Sequence, residues 1–571
     1  MKWQLKDIKP ETILEHSKVN KTSYLFSNIL LSREIVTKKD IYKYFHPENS
    51  ELYDPFLLTD MNKSVEKIHD IIESDKKILI YGDYDVDGVT STSLLYLFFL
   101  KFSTEIIYYI PDREKEGYGL SKKGIDHAKE KNVSLIITCD CGINSIKEIE
   151  YANSKEIETI VTDHHQPDAI LPKAFSIIDP KRKNDVYPNK DLAGVGVAYK
   201  LIYAYCLRYD IRLKTATDFL DLVALGTAAD IVLMRDENRI LTYRGIKKIN
   251  SGDIRIGLAE LIRTCDLQEK EINVSDIIFN IAPRLNATGR VSNAKKAIKL
   301  LTTIEIRMAR EYSEILNKEN LQRRAIQDDV YESALFQIQE KYGENIPKII
   351  ILNSDTWHPG VIGIVSSKIK ESFYRPNFLI SFRNGIGKGS GRSIKKFNLY
   401  NALASSKKYL EGFGGHFAAA GLSIKRQNLE NFESSISDYT VKNIDNENLI
   451  RVLPIDAEIQ LENINATLLK FIDRMMPFGP GNMRPIFCMY KVNPYRAKIL
   501  KNKHLKFSVK NENLYLDCIG WNMVDKFELI MSSKKEINIA FVPTINEWNG
   551  VKNIQLIVKD IKKQENNGNK N

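Results

Sequence analysis

Long apolar runs are missing from this 571-residue chain. The longest, such as Leu94 to Leu100, fall far short of the roughly 20 residues a membrane-spanning helix needs. A secretory leader is not visible either, because the start, Met1-Lys2-Trp3-Gln4-Leu5-Lys6, runs straight into polar residues. Cysteine is scarce: the 6 residues are scattered except for Cys139 and Cys141, which excludes a disulfide framework and makes the cytoplasm the expected compartment. That pair has no second pair to complete a zinc site, so both cysteines are expected in or near a core. An excess of acid is missing too, with 83 Lys plus Arg against 73 Asp plus Glu, a net charge of +10. Several of those acids belong to the cluster described below, so the remaining surface is more basic than the total suggests. A polyanionic partner fits that balance, although lysines kept for solubility would give the same sum.

A chain of this length divides into several domains, each with its own core. Residues 1–75 read as a helical, polar-amphipathic lead-in ending in Met61 to Glu73. Over 76–300, apolar strands (Ile78–Tyr81, Thr104–Ile110, Leu135–Cys139, Thr159–Thr162, Ser176–Asp179) alternate with helical stretches, which predicts a doubly wound parallel sheet. Between Val291 and Tyr342 there is neither Gly nor Pro, while Ala309, Tyr312, Leu316, Ile326 and Val330 recur at helical spacing. This predicts one long helix, assigned to 301–343, joining two lobes. A second α/β domain follows over 344–446, opening on Lys348-Ile349-Ile350-Ile351-Leu352. Over 447–562 the pattern turns to short alternating strands, such as Leu505–Val509 and Asn538–Val542, which suits a small β-barrel; 563–571 is a polar tail, expected to be disordered.

Five carboxylates and two histidines stand directly after three of the predicted strands. They are Asp83, Asp85 and Asp87 in Tyr81–Gly88, Asp140 after Leu135–Cys139, and Asp163-His164-His165 after Ile160–Thr162. In an open α/β sheet, ligands gather beyond the carboxyl ends of the strands, so these side chains are aimed into one crevice. So many carboxylates together need a cation, and a mixture with imidazole suits Mn²⁺ or Mg²⁺. The chemistry expected is phosphoryl hydrolysis. A calcium-loop reading of the Asp-x-Asp-x-Asp-Gly run fails because the closing Glu is missing and a helix follows instead.

These motifs, with Gly226-Thr227-Ala228-Ala229-Asp230, resemble the signature motifs of the DHH phosphoesterase superfamily. Gly414-Gly415-His416 through Gly421 resembles the GGH motif of its companion DHHA1 domain. Ile110–Arg113 with Glu116–Leu120, Leu192–Gly196, Pro283–Arg290, Trp357–Gly363 and Phe478–Asn482 narrow the resemblance to the RecJ family of single-strand-specific exonucleases, from about residue 20 to about 560. That resemblance implies two ions held by Asp83, Asp85, Asp87, Asp140, His164, His165 and Asp230, with Asp163 a direct ligand or an outer support. The catalytic roles would fall on Asp83, Asp85, Asp87, His164 and His165. It implies that Ser390, Arg392 and His416, with Arg113 from the other lobe, hold a 5′-terminal phosphate, and that Arg284 and Arg290 contact substrate. Gly387-Lys388-Gly389-Ser390-Gly391-Arg392-Ser393 reads locally as a glycine-rich turn whose amides and Arg suit an anion. In the C-terminal region the acid-free segment from Arg496 to Phe507 makes Arg496, Lys498, Lys501, Lys503 and Lys506 a candidate single-strand groove on an oligonucleotide-binding (OB-type) barrel. The implied activity is 5′ to 3′ degradation of single-stranded DNA by a monomer, with single-strand-binding protein and a RecQ-type helicase as partners in recombination and repair. Action on oligoribonucleotides or cyclic dinucleotides, and a non-catalytic binding scaffold, are the competing readings.

Overall fold

The computed structural model describes all residues except 114, 292–293, 512–513, 533–535, 549 and 564–571, and only the backbone of 288, 290, 291, 532 and 548. The expected polar tail thus lies almost wholly outside the described residues. The chain forms two compact units. One comprises Asp54–Asp230 and Gly245–Arg451; the other gathers Met1–Tyr53, Ile231–Arg244 and Val452 onward.

In the first unit, five parallel strands, β1 (Lys77–Gly82), β2 (Ile106–Tyr109), β3 (Val133–Cys139), β4 (Glu158–Thr162) and β5 (Ser176–Ile178), lie in the order β2-β1-β3-β4-β5. Chain direction across the sheet reverses between β1 and β3, which makes their carboxyl ends the expected ligand crevice. The strands are unbroken apolar runs because helices cover both faces, with Leu79, Tyr81, Ile136 and Val161 in the core on one of them. Helix α1 (Val86–Phe99) is buried along most of its length although it carries Thr90-Ser91-Thr92-Ser93. Thr90, Thr92 and Ser93 donate to the carbonyls four residues back, at 2.7–2.8 Å, which satisfies hydroxyls that burial would otherwise strand.

Helices α2 (Gly194–Arg208), α3 (Leu220–Ala229) and α4 (Ala282–Val291) are among the others in this half, and α5 (Ile306–Tyr342) runs 37 residues, about 55 Å at 1.5 Å per residue. The helical stretch expected without interruption is broken at Thr303–Glu305: Lys295–Thr302 forms a helix of its own, and the β-branched run Thr302-Thr303-Ile304 separates the two without Gly or Pro. The far end of α5 packs Val330, Ala334 and Ile338 against a second sheet. That sheet contains β6 (Ile350–Ser354), β7 (Asn377–Arg383), β8 (Ile386–Arg392), β9 (Gly412–Gly415) and β10 (Ala419–Lys425) in the order β9-β10-β8-β7-β6, with helix α6 (Pro359–Phe373) beside it.

The glycine-rich segment is not the turn its composition suggests: Ile386–Arg392 is a central strand, paired on both sides. Its alternating glycines make room for large neighbours. A Cβ at Gly391 would stand 2.4 Å from Phe378 Cε1, and one at Gly389 2.7 Å from Leu422 Cγ, whereas one at Gly421 on β10 meets nothing nearer than 3.6 Å. Gly391→Ala should therefore cost about 1–3 kcal/mol in denaturant unfolding, and Gly421→Ala much less. Equal costs would show that the space argument does not govern this strand.

In the second unit, β11 (Ala457–Glu458) runs parallel beside β12 (Phe487–Leu500), which with β13 (His504–Lys510), β14 (Tyr515–Gly520), β15 (Ile537–Trp548) and β16 (Val551–Lys563) forms a five-stranded barrel that closes through the β12–β15 pairing. Its core of Phe487, Leu505, Phe507, Ile537, Phe541 and Leu556 also takes in Ile29, with Leu25, Phe26, Tyr44 and Phe45 packed against it. The helical lead-in is thus part of the barrel's unit, and the segment Lys2–Leu5 adds a strand parallel to Val452–Ile455 where the sequence pattern suggested only helix.

Candidate metal centre and nucleic-acid interface

The seven residues implied as ligands converge. Three groups, Asp140–His164–His165, Asp87–His164–Asp230 and Asp83–Asp85–Asp140, each place one ligand atom per residue within 4.8 Å of the others. Together they contain all seven, and Asp140 and His164 each belong to two groups, so the groups interlock.

Local structure fixes each side chain. Asp85 caps α1, accepting from the Gly88 amide at 3.0 Å, which starts the helix directly after β1 and leaves Asp87 in its first turn. Asp87 accepts the amides of Gly194 (2.7 Å) and Val195 (2.8 Å) at the start of α2. Glycine is required there because a Cβ at Gly194 would lie 2.9 Å from Asp140 Cβ; likewise one at Gly226 would lie 3.0 Å from Asp87 Oδ1. Asp140 adopts φ 59°, a left-handed conformation that Asp tolerates better than most residues. Its neighbours Cys139 and Cys141 are buried, as expected of core thiols. Asp230 ends α3.

Asp163 is placed differently from a ligand. Its carboxylate accepts from the amides of Ile143, His164 and His165 and holds His165 Nδ1 at 2.7 Å. With Nδ1 engaged by Asp163, Nε2 is the His165 nitrogen left for a cation, as in the carboxylate–histidine–metal arrangement. Burial favours protonation of Asp163, but the His165 hydrogen bond and charge outweigh it and hold its pKa below the usual carboxylate range. Burial by itself would lower His165, yet Asp163 raises it to about 9, while burial, with His165 nearby, lowers His164 to about 3.

The acids show the opposite stress. Burial and mutual repulsion push Asp83, Asp87 and Asp140 well above the usual range; burial and Asp85 raise Asp230 to about 7. Asp140 Oδ1 and His164 Nε2 stand 3.0 Å apart, and among the described residues these two atoms and Asp83 Oδ1 are buried without a hydrogen-bond partner. Orphaned acceptors converging on one point, surrounded by like charge, have the chemistry of a divalent cation site. Tyr118, a site residue that the motifs alone did not single out, donates to the Asp140 carbonyl at 3.0 Å and lies 3.3 Å from the His165 ring nitrogens.

The substrate-side residues divide. Ser390 and Arg392 lie together at the end of β8, with Arg392 Nη1 3.3 Å from Ser390 Oγ. Gly363, in the first turns of α6, leaves the space over them: a Cβ there would be 3.0 Å from Ser390 Oγ and 3.4 Å from Arg392 Nη2. Burial, and after it the charge of Arg113, lower the Arg392 pKa. Arg113 itself is exposed and lies over the Tyr84 ring, 5.1 Å from its centroid. His416 is exposed between β9 and β10. Arg284 is engaged by Asn280 O (2.7 Å) and Asn317 Oδ1 (2.9 Å). The side chain of Arg290 lies outside the described residues. On the barrel, Arg496, Lys498, Lys501 and Lys503 are exposed on β12 and the turn after it, whereas Lys506 is paired with Asp517 at 2.9 Å. Exposed aromatics that the basic pattern did not reveal share this region: Tyr495, with Lys510 4.6 Å from its ring centre, Tyr515 beside Lys510, and Trp521 against His504.

Family models match three segments: the DHH family N-terminal domain over 77–227, the DHHA1 domain over 347–442, and the RecJ OB domain over 455–560. The single-stranded-DNA-specific exonuclease RecJ of Bacillus subtilis is 34% identical over 98% of this chain and 70% of its own length. The chain belongs to the RecJ family. The Haemophilus influenzae RecJ is also 34% identical, over 91% of this chain and 94% of its own. Among solved structures, the Mn²⁺ complex of Thermus thermophilus RecJ aligns with TM-score 0.85 at 25% identity, covering 99% of this chain and 80% of that one. A second manganese-bound RecJ exonuclease structure aligns with TM-score 0.60 at 30% identity, covering 68% and 96%. The expected α/β architecture with long helix and C-terminal OB-type barrel is that of the family.

Proposed function

We propose that this chain degrades single-stranded DNA from the 5′ end, releasing 5′-mononucleotides by hydrolysis at a centre of two Mn²⁺ or Mg²⁺ ions. The observation that carries this reading is the interlocked set of seven ligand-type side chains in the same unit as Ser390, Arg392 and Arg113. Two divalent ions, when bound, supply a water of lowered pKa and stabilise the charge that develops on phosphoryl oxygens. Asp83, Asp85, Asp87, Asp140, His164, His165 and Asp230 would hold them. Asp163 fixes the His165 ring, and Asp87 couples the centre to the start of α2. Arg392, Ser390 and His416, with Arg113, would take the terminal phosphate, and Arg284 and Arg290 would contact substrate as in the family pattern. A phosphate held there sets the polarity and counts off one nucleotide.

We assign the lead-in to 1–75, the DHH domain to 76–300, the connecting helix to 301–343, the DHHA1 domain to 344–446 and the OB-type domain to 447–562. Arg496, Lys498, Lys501, Lys503 and Lys506 of the last would track the downstream strand. Because the barrel shares its core with residues around Ile29, point substitutions test it better than truncation. Lys498→Ala, Lys501→Ala and Lys503→Ala combined should weaken binding of long oligonucleotides and flatten its salt dependence by about 0.7 in log–log slope for each phosphate no longer neutralised. Unchanged slope and affinity would make this face an interaction module for another protein. The same reading has the chain acting as a cytoplasmic monomer, with single-strand-binding protein and a RecQ-type helicase as partners in recombination and repair. No helix among the described residues is long and apolar enough to cross a membrane.

The deciding experiment is a long single strand labelled at either end, incubated with Mn²⁺ or Mg²⁺. Mononucleotides released from the 5′ end with duplex spared support the proposal. Preference for di- or oligoribonucleotides, or for cyclic dinucleotides, would move the chain to the small-substrate branch of the superfamily. Binding without turnover would make it a scaffold.

A further inference from the structure

The sheet that carries the metal centre ends in a basic residue at both of its edges. Beyond β2, at one edge, stands Arg113; beyond β5, at the other, stands Asp179-Pro180-Lys181. Between them, after β1, β3 and β4, lie Asp83, Asp85, Asp140, His164 and His165. Four inter-strand steps of about 4.8 Å separate the outer strands, about 19 Å in all, room for a few nucleotides laid across the strand ends.

The turn that carries Lys181 is fixed through its backbone. The Lys181 backbone amide donates to Asp179 Oδ1 at 2.7 Å, which fixes the turn after β5, and Asp179 is fully buried. The next residue, Arg182, is directed away, onto Asp60 and the Ile177 carbonyl. The Lys181 side chain is half-buried and makes no ion pair among the described residues. β5 runs beside β4 with Thr162 opposite Ile178, so the turn that carries Lys181 follows at the same end of the sheet as His164 and His165. A cation at that place, with no acid bonded to it, is available to an anion that enters with substrate.

We propose that Lys181 binds the backbone phosphate immediately 3′ of the scissile one, so that the strand lies across the sheet from Arg113 and Arg392 at its 5′ end, over the metal centre, to Lys181. This rests on the 5′-exonuclease reading and adds a substrate contact on the downstream side. It would act in binding: a dinucleotide has a terminal and a scissile phosphate but none beyond, so only longer strands can use it.

The test compares Lys181→Ala with the parent on a 5′-phosphorylated dinucleotide and a 5′-phosphorylated decanucleotide, with Mn²⁺ present. KM on the decanucleotide should rise about tenfold more than KM on the dinucleotide, the worth of a hydrogen bond to a charged group. The salt slope for the decanucleotide should fall by about 0.7, and Lys181→Arg should restore most of the affinity. Equal defects on both substrates would assign Lys181 to the metal centre or to folding, and no defect on either would make it a solvated lysine; both overturn the proposal. If the parent itself releases nucleotides from the 3′ end, the polarity reading fails and takes the proposal with it, an outcome visible before any variant is compared.

Discussion

Asp140→Asn should lose well over about 100-fold in hydrolysis with Mn²⁺ or Mg²⁺, because even outer supports of a metal centre are worth 10–100-fold and Asp140 belongs to two of the three ligand groups. Asparagine is the informative replacement: it tolerates the left-handed φ of 59° and keeps the side-chain shape, so the change is chiefly one of charge. The same substitution should raise the Tm of the protein in chelator. Asp83, Asp87, Asp140 and Asp230 are all raised above the ordinary carboxylate value of 3.8, each in part by the others or by Asp85. An acid with a raised folded-state pKa contributes stability that is complete below its unfolded value and is lost as pH rises through the folded one. Chelated parent protein should therefore lose stability from about pH 4 upward, through the Asp230 value of about 7. Metal at a hundredfold excess over Kd should return about 2.7 kcal/mol for each ion bound, and Asp140→Asn should recover less. The measurements are Tm across pH, with and without metal, beside turnover of a labelled strand. Near-parental turnover, or a lower Tm than the parent in chelator, would remove Asp140 from a shared cation site.

Much of that centre could be read from the sequence because of how parallel sheets are built. Strands buried on both faces leave runs such as Ile78-Leu79-Ile80 and Leu135-Ile136-Ile137, so acids and histidines at their ends stand out, and topology carries those ends to one edge. What could not be read depended on neighbours distant in sequence. Ile386–Arg392 looks like a turn because alternating glycine disfavours strands; the reason for the glycines is the rings and side chains of Phe378, Phe382 and Leu422 against them. Asp163 separates from the ligands only through the three backbone amides and the His165 ring that occupy it. Lys2–Leu5 is a strand only because Val452–Ile455 lies beside it, and residues around Ile29 join the barrel core across more than four hundred residues of chain. Tyr118 carried a signal, since it sits in a motif followed by Gly119-Leu120, but its hydroxyl contact with the Asp140 carbonyl is a matter of geometry.

Arg392→Ala should cut the use of 5′-phosphorylated ends by roughly 10- to 150-fold in kcat/KM, the equivalent of about 1.5–3 kcal/mol for a charge-assisted contact, while 5′-hydroxyl ends lose little. The side chain's surroundings give the reason. Arg392 is half-buried and its charge is opposed by that of Arg113; it donates to Ser390 Oγ and the Gly391 carbonyl and makes no carboxylate ion pair among the described residues. Two cations that repel each other cost energy unless an anion neutralises them, and a terminal phosphate monoester, with more charge than an internal diester, is the better match. Gly363 keeps the space beside Ser390 and Arg392 clear, so Gly363→Ala should produce a milder form of the same defect. Arg392→Lys should recover charge but not the fork, and so only part of the preference. The assay is kcat/KM on one oligonucleotide carrying either end, with circular-dichroism melts to establish folding. If phosphorylated and hydroxyl ends suffer equally while the protein remains folded, Arg392 supports β8 or the path of the strand in general, and the end-phosphate site must be sought elsewhere.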